Sequence, residues 1–312
     1  MKVGIIGAGQ VGATAAYAMI SQGIGREIIL VDLDQERARA EANDLRHAVP
    51  FTNPLLVQDG SYQDLEGARI VVICAGVSQQ PGETRMELLG RNAKVFQSII
   101  PQVLEAAPDA ILLVATNPVD IMTHLSACYA AEYGVPDSRV IGTGTTLDTA
   151  RFRSLLGQHL QIDPAHVHAY VLGEHGDSEV IPFSPVTVGN VPLEAFCDQW
   201  GICLDQALKQ TIDSQVRNAA YEIIQGKGAT YYGVGSAIAK IVSVVLGNQR
   251  AILTVCGHQA QTAGVDDVTL SLPHLLGGEG ILNVLNIPLT DGEQDELENS
   301  ARVIKEALKS LC

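Results

Sequence analysis

An apolar stretch, Lys2 to Ile6, runs directly into Gly7-Ala8-Gly9-Gln10-Val11-Gly12; an alanine-rich segment continues over Gln10 to Gln22, and a second apolar stretch ends at Asp32. Three glycines spaced G-x-G-x-x-G between a strand and a helix, with an acid 20 residues past the last of them, leave few folds open. Gly7 allows the tight turn, Gly9 lets the backbone approach a pyrophosphate, and Gly12 lets helix and strand pack closely. The helix N-terminus then offers free N–H groups to the anion. Asp32 would accept hydrogen bonds from a ribose 2′-OH, and an ionised carboxylate there repels a 2′-phosphate, which selects NAD over NADP. The pattern predicts a Rossmann dinucleotide-binding unit.

The rest of the first half keeps that rhythm. Candidate strands at 2–6, 28–32, 55–58, 69–75, 110–115 and 139–141 alternate with helical patterns such as 10–22 and 35–47, as a parallel sheet with crossover helices requires. Segments 69–75 and 110–115 are apolar at nearly every position, so they should be central strands, buried on both faces. Past Gly142 the pattern changes to helices over 147–156, 204–225, 237–246 and 291–311, with β-rich segments at 166–172, 185–188, 251–256 and 267–273. With 312 residues there is room for two domains. The reading is α/β, with an N-terminal doubly wound parallel sheet over 1–143 and a C-terminal mixed α+β catalytic domain over 144–312. No Pro/Gly/Ser linker separates them, so they should share an interface directly.

Composition narrows the function. A net charge of −15, with no run of Lys or Arg, repels phosphate backbones and anionic membranes, so neither nucleic acid nor a membrane is expected as a partner. No stretch reaches the ~18 uncharged apolar residues of a membrane span. The apolar run to Ile20, with Ala16-Tyr17-Ala18, has the composition of a signal peptide, but Gly4, Gly7, Gly9 and Gly12 break the continuous helix such a segment needs. A cytoplasmic protein is expected. Cys74, Cys128, Cys197, Cys203, Cys256 and Cys312 form no C-x-x-C pair and read as reduced thiols. His47, His124, His159, His166, His258 and His274 have no motif context; they read as surface or packing residues, and no metal is expected.

Three segments carry polar residues that composition does not demand: Gln79-Gln80-Pro81-Gly82-Glu83-Thr84-Arg85, Leu147-Asp148-Thr149-Ala150-Arg151 and Gly173-Glu174-His175-Gly176-Asp177. The first, with Asn117-Pro118, falls at the carboxyl ends of sheet strands, where open α/β sheets bind ligands. Taken with the glycine motif and Ala115-Thr116-Asn117-Pro118-Val119-Asp120, the segments make the chain resemble the L-lactate/malate dehydrogenase family along essentially its whole length, and within it the bacterial L-lactate dehydrogenases most. The resemblance implies His175 as general acid/base, Asp148 as its orienting partner, Arg151 as the clamp on a substrate carboxylate, and Arg85 as the group on a closing loop that polarises the carbonyl. It implies Asn117 beside substrate and His175, and Gly7, Gly9, Gln10, Val11, Gly12, Asp32, Gly76 and Asn117 around the NAD.

These roles are chemically sensible. Reducing a 2-oxo acid needs a proton donor titrating near neutrality, and a neighbouring carboxylate holds an imidazole in one tautomer and favours its charged form. A guanidinium can grip a carboxylate with two parallel hydrogen bonds. The resemblance further places Gln79 against the group attached to the reacting carbon, where malate dehydrogenases carry Arg. A neutral amide there, with Thr230 on the same side of the pocket, favours pyruvate and L-lactate over oxaloacetate. Malate or another 2-hydroxy acid as substrate, and a non-catalytic NAD-binding protein of the same fold, stay open. Arg153 and His168 match positions at which allosteric relatives bind fructose 1,6-bisphosphate between subunits, and the family implies a homotetramer serving glycolytic fermentation.

Overall fold

A computed structural model describes residues 1–77, 82 and 85–309, Arg85 by its backbone alone. In the first half, strands β1 (Lys2–Ile6), β2 (Glu27–Val31), β3 (Leu56–Asp59), β4 (Ala68–Ile73), β5 (Ile111–Val114) and β6 (Val140–Gly142) alternate with helices α1 (Gln10–Gln22), α2 (Gln35–Ala48), α3 (Arg85–Ala106) and α4 (Val119–Ala131). The strands pair in parallel in the order β6-β5-β4-β1-β2-β3. This is the doubly wound order, and its direction reverses between β1 and β4, which opens a crevice beyond their carboxyl ends. β4 and β5 lie inside the sheet, with Ile70, Val71, Val72, Leu112 and Leu113 all fully buried, as their unbroken apolar runs require.

The second half contains α5 (Thr146–Leu160), β7 (Val167–His168), β8 (Thr187–Val188), β9 (Val191–Pro192), α6 (Leu193–Trp200), α7 (Gln206–Lys227), α8 (Tyr232–Leu246), β10 (Ala251–Leu253), β11 (Cys256–Thr262), β12 (Val265–Ser271), β13 (His274–Gly277), β14 (Gly280–Val284) and α9 (Asp291–Lys309). Two of its strands join the first sheet: β11 pairs antiparallel with β6 at Cys256 and Gly142, and β12 pairs antiparallel with β11. The sheet is therefore mixed and eight-stranded rather than purely parallel.

The expected strand over 251–256 divides in two, because β10 pairs with β13 in a separate small sheet while β11 turns into the large one. The hairpin between β11 and β12 turns on Ala263 and Gly264, both at positive φ (48° and 69°), the conformation that two-residue hairpins with matching twist require. The expected strand over 166–172 pairs as a ladder only at Val167–His168; beyond it, single bridges at Leu172 and Gly173 hold the chain straight as it leads into the site. Helix α8 crosses α1 so closely that a Cβ on Gly235 would lie 2.7 Å from the Thr14 methyl, which brings the second half against the cofactor half.

Candidate active site

At the end of β1 the backbone of Gly7 takes φ +98°, and a Cβ there would lie 2.7 Å from the Ala75 nitrogen, so the turn into α1 is open only to glycine. A Cβ on Gly12 would run into the Gly7 carbonyl oxygen, whereas at Gly9 only an Arg37 nitrogen lies within 4 Å. One glycine is thus a packing requirement, and the other leaves room for a ligand. Gly9 caps α1, whose first turn holds no acidic residue to repel an anion, and lines a cleft of about 580 Å³ together with Gly7, Asp32, Tyr62, Gly76 and Val77. Asp32 accepts from the Ala8 N–H at 2.7 Å and from the Asp34 N–H at 2.9 Å, which aims its carboxylate at the glycine turn while leaving lone pairs for a ribose hydroxyl. A dinucleotide with its pyrophosphate over Gly9 and its ribose at Asp32 fits these residues; Gln10 and Val11 stand in the first turn of α1 beside it.

The second cluster assembles where α5 meets the segment after β7. Thr145 and Thr149 fasten this junction: the Thr145 hydroxyl donates to the Val171 carbonyl at 2.5 Å, and the Val171 N–H donates to the Thr149 hydroxyl at 2.9 Å. Two residues beyond Val171 begins the 173–179 loop, which is closed by paired bonds between Leu172 and Val180 and anchored by bonds between Gly173 and Ser271. Both attachments bring His175 over the first turn of α5. Its Nδ1 lies 2.6 Å from Asp148 Oδ2, and the other Asp148 oxygen accepts from Arg151 Nη1 at 2.7 Å. Asp148 and Arg151 stand three residues apart on one face of α5, which is why a single buried carboxylate can hold both cations.

Burial alone would strip His175 of its proton, but the Asp148 charge and hydrogen bond outweigh it and raise the pKa to about 9. Burial would likewise raise Asp148; His175 and Arg151 reverse this and hold it below the usual carboxylate range. With Nδ1 directed at Asp148, Nε2 is the nitrogen left for a ligand. The arrangement offers a protonated imidazole beside a guanidinium with donors to spare, in a partly water-excluded site.

Two further carboxyls belong to this site, and neither received a role in the sequence reading. Asp120 Oδ2 accepts the His175 backbone N–H at 2.8 Å, while its Oδ1 has no hydrogen-bond partner among the described residues. Burial raises its pKa to about 7. Glu179 is 4% exposed, and burial, reinforced by the Asp148 charge, raises its pKa to about 8. Asp120 stood inside a quoted motif, yet nothing in sequence marks either acid as buried; packing of α4 and of the 173–179 loop makes them so.

The remaining predicted residues are distributed as follows. Asn117 follows β5 and is exposed at the carboxyl edge of the sheet, and Thr230 is half-buried just before α8. Gln79 and the Arg85 side chain lie outside the described residues, and the Arg85 backbone opens α3. Arg153 is half-buried rather than free on a helix surface: its Nε donates to the Ala169 carbonyl at 2.9 Å and its guanidinium lies 5.3 Å from the Tyr170 ring centre. His168 is exposed on β7, next to that carbonyl.

Residues 1–142 match the family model described as lactate/malate dehydrogenase, NAD binding domain, and residues 145–312 match that of the lactate/malate dehydrogenase alpha/beta C-terminal domain. A protein of Geotalea daltonii named L-lactate dehydrogenase is 58% identical over 311 residues, covering 100% of this chain and 99% of its own. One of Thermus aquaticus with the same name is 50% identical over equal coverage. The crystal structure of minor L-lactate dehydrogenase from Enterococcus mundtii superposes with a TM-score of 0.95 at 38% identity, covering 100% of this chain and 98% of that one.

Proposed function

The chain belongs to the lactate/malate dehydrogenase family, whose members are NAD-dependent oxidoreductases, and from that premise we propose that it interconverts pyruvate and L-lactate with His175 as the acid/base. The observation that carries the reading is the shared carboxylate of Asp148, which holds a proton donor and a carboxylate-binding guanidinium side by side.

Residues 1–143 hold the dinucleotide through Gly7, Gly9, Gln10, Val11, Gly12, Asp32, Gly76 and Asn117, and residues 144–312 supply the acid/base and the clamp. Bound NADH supplies the hydride. Arg151 takes the substrate carboxylate with the donors Asp148 leaves free, which fixes the carbonyl carbon in place. His175 Nε2 donates its proton to the carbonyl oxygen as charge develops there, and Arg85 steadies the same oxygen. Losing that proton leaves a neutral imidazole with Nδ1–H still on Asp148, so the ring keeps its orientation while it is reprotonated from solvent, and the reverse reaction starts from that neutral ring.

Gln79 and Thr230 set the preference for pyruvate. A second carboxylate beside a neutral amide has no cation to meet it in a closed site. Arg153 and His168 are the side chains that receive the phosphates of fructose 1,6-bisphosphate, contributed by paired subunits of a homotetramer, although Ala169 and Tyr170 already engage part of the Arg153 guanidinium. The five described cysteines are all free thiols, which fits a reducing, cytoplasmic setting, and no helix among the described residues is long and apolar enough to cross a membrane. The test is NADH consumption with pyruvate and with oxaloacetate, each with and without the sugar bisphosphate. Faster turnover of oxaloacetate would overturn the substrate, and identical pyruvate saturation with and without the effector would overturn the allosteric role.

A further inference from the structure

His124, His258 and Asp267 come from α4, β11 and β12, and one ligand atom from each lies within 4.8 Å of the others. We propose that these three side chains form a binding site for a divalent transition metal ion, zinc being the best match, one turn along α4 from Asp120.

Each ring already has the partner a metal-bound histidine needs. Nδ1 of His124 is held by the Thr269 hydroxyl at 3.0 Å, which fixes the ring and leaves Nε2 for a metal. Nδ1 of His258 is held by Asp137 at 2.6 Å, the carboxylate–histidine pairing that orients metal-ligating imidazoles. Nε2 of the same ring lies 2.9 Å from Asp267 Oδ1, so a metal entering between them replaces one proton, which is released to solvent.

Asp267 is built for this position. It sits in a strand at φ +50°, at the point where the ladder between β11 and β12 skips a pair, and this turns its carboxylate back toward His258. Its second oxygen is held at 2.8 Å by Lys305, which leaves Oδ1 for the metal and makes the ammonium the outer support of a ligating carboxylate. The charged groups around the point are two carboxylates, Asp137 and Asp267, against one ammonium, Lys305, so an added cation is favoured. Two imidazoles with one carboxylate select zinc, copper, nickel or cobalt over magnesium or calcium, and with three protein ligands the fourth position is left to water. The side chain of Asp267 is 60% exposed, so the site is reached from solvent.

The test uses the full-length protein, stripped with a chelator and dialysed against micromolar free zinc, with magnesium as control. The expected result is one zinc per chain, no magnesium, and retained zinc occupancy in wild type that is lost in His258→Gln and weakened about 10- to 100-fold in Asp137→Asn. Pyruvate reduction should be unchanged in both variants. X-ray absorption on the zinc-loaded wild type keeps the test independent of variant folding. Nitrogen at ~2.0–2.1 Å and oxygen at ~2.0–2.2 Å support the site, and a sulfur shell at ~2.3 Å assigns the metal to cysteine and overturns it. Absence of zinc binding, or equal affinity in wild type and His258→Gln, also overturns it and leaves His258, Asp137, Asp267 and Lys305 as an ion-pair network.

Discussion

His175 is half-buried and His274 wholly buried, and the protein drives the first toward the charged form and the second away from it. His274 opens β13 with no exposed surface; its Nδ1 is 2.9 Å from the Val255 carbonyl and its Nε2 is 3.3 Å from the Gln259 amide nitrogen. A donor at one nitrogen and an acceptor at the other describe a neutral ring, and burial lowers its pKa to about 4. His175 also loses solvation, but its Nδ1 meets a carboxylate instead of a carbonyl, and its pKa rises to about 9. Burial by itself therefore says nothing about the charge of a histidine; the formal charge of the one group at Nδ1 decides it.

Removing that charge is the most direct way to break the comparison. Asp148→Asn leaves His175 with the burial and without its counter-charge, so the ring should behave more like His274. Turnover of pyruvate should fall by ~10²-fold or more with NADH binding nearly intact, because an amide cannot stabilise the imidazolium. The pH profile should move with it. In wild type kcat/KM for pyruvate should fall as pH rises through about 9, while lactate oxidation, which needs the neutral ring, rises over the same range. In Asp148→Asn both bends should move to lower pH. Unchanged turnover in the folded variant would remove Asp148 from the mechanism.

His274 sharpens the contrast through stability. Its folded pKa, about 4, lies below the ordinary imidazole value, so between about pH 6.5 and 4 the unfolded chain binds the extra proton. Its contribution to stability is present above that window and is lost as pH falls through it, by roughly 3 kcal/mol at most. His274→Gln, which keeps a polar group on β13 but cannot titrate, should flatten this part of the curve in urea unfolding. Parallel curves for wild type and variant would mean that His274 is not held neutral.

The two regions also differ in how much of them could be read beforehand. The strands around the cofactor were legible because a parallel strand buried on both faces must be apolar throughout, and because Gly7 and Gly12 answer to steric limits that leave a fixed spacing. His175, Asp148 and Arg151 were legible as motifs, although only the fold brings α5 under the 173–179 loop. β11 was not. Cys256–Thr262 reads CGHQAQT, half-exposed and polar, and its partner on β6, Gly142 opposite Cys256, lies 114 residues away in sequence. His274, Asp120 and Glu179 were illegible for a related reason, since their environments come from distant segments and a side chain's burial leaves no mark on its own neighbours in sequence.

Asp120 offers the smallest effect and the finest test. It receives the His175 backbone N–H on one oxygen, and an asparagine oxygen can accept the same bond, so Asp120→Asn should lower pyruvate turnover by less than ~10-fold. Its burial carries a clearer signature. A carboxyl held at about 7 in the folded chain and near 3.9 when unfolded contributes stability that is complete below about pH 3.9 and is lost as pH rises through about 7. Wild type should therefore lose stability across that range through this group, and Asp120→Asn should not. Placing an amide N–H₂ where Oδ1 lacks a partner adds a cost of about 1–3 kcal/mol, but that cost is the same at every pH. The quantity to read is therefore the difference in unfolding free energy between variant and wild type, which should move in favour of the variant from about pH 5 to about pH 8. A difference that stays constant over that interval would mean that Asp120 titrates as an ordinary carboxylate, with the His175 N–H bond compensating its burial in full.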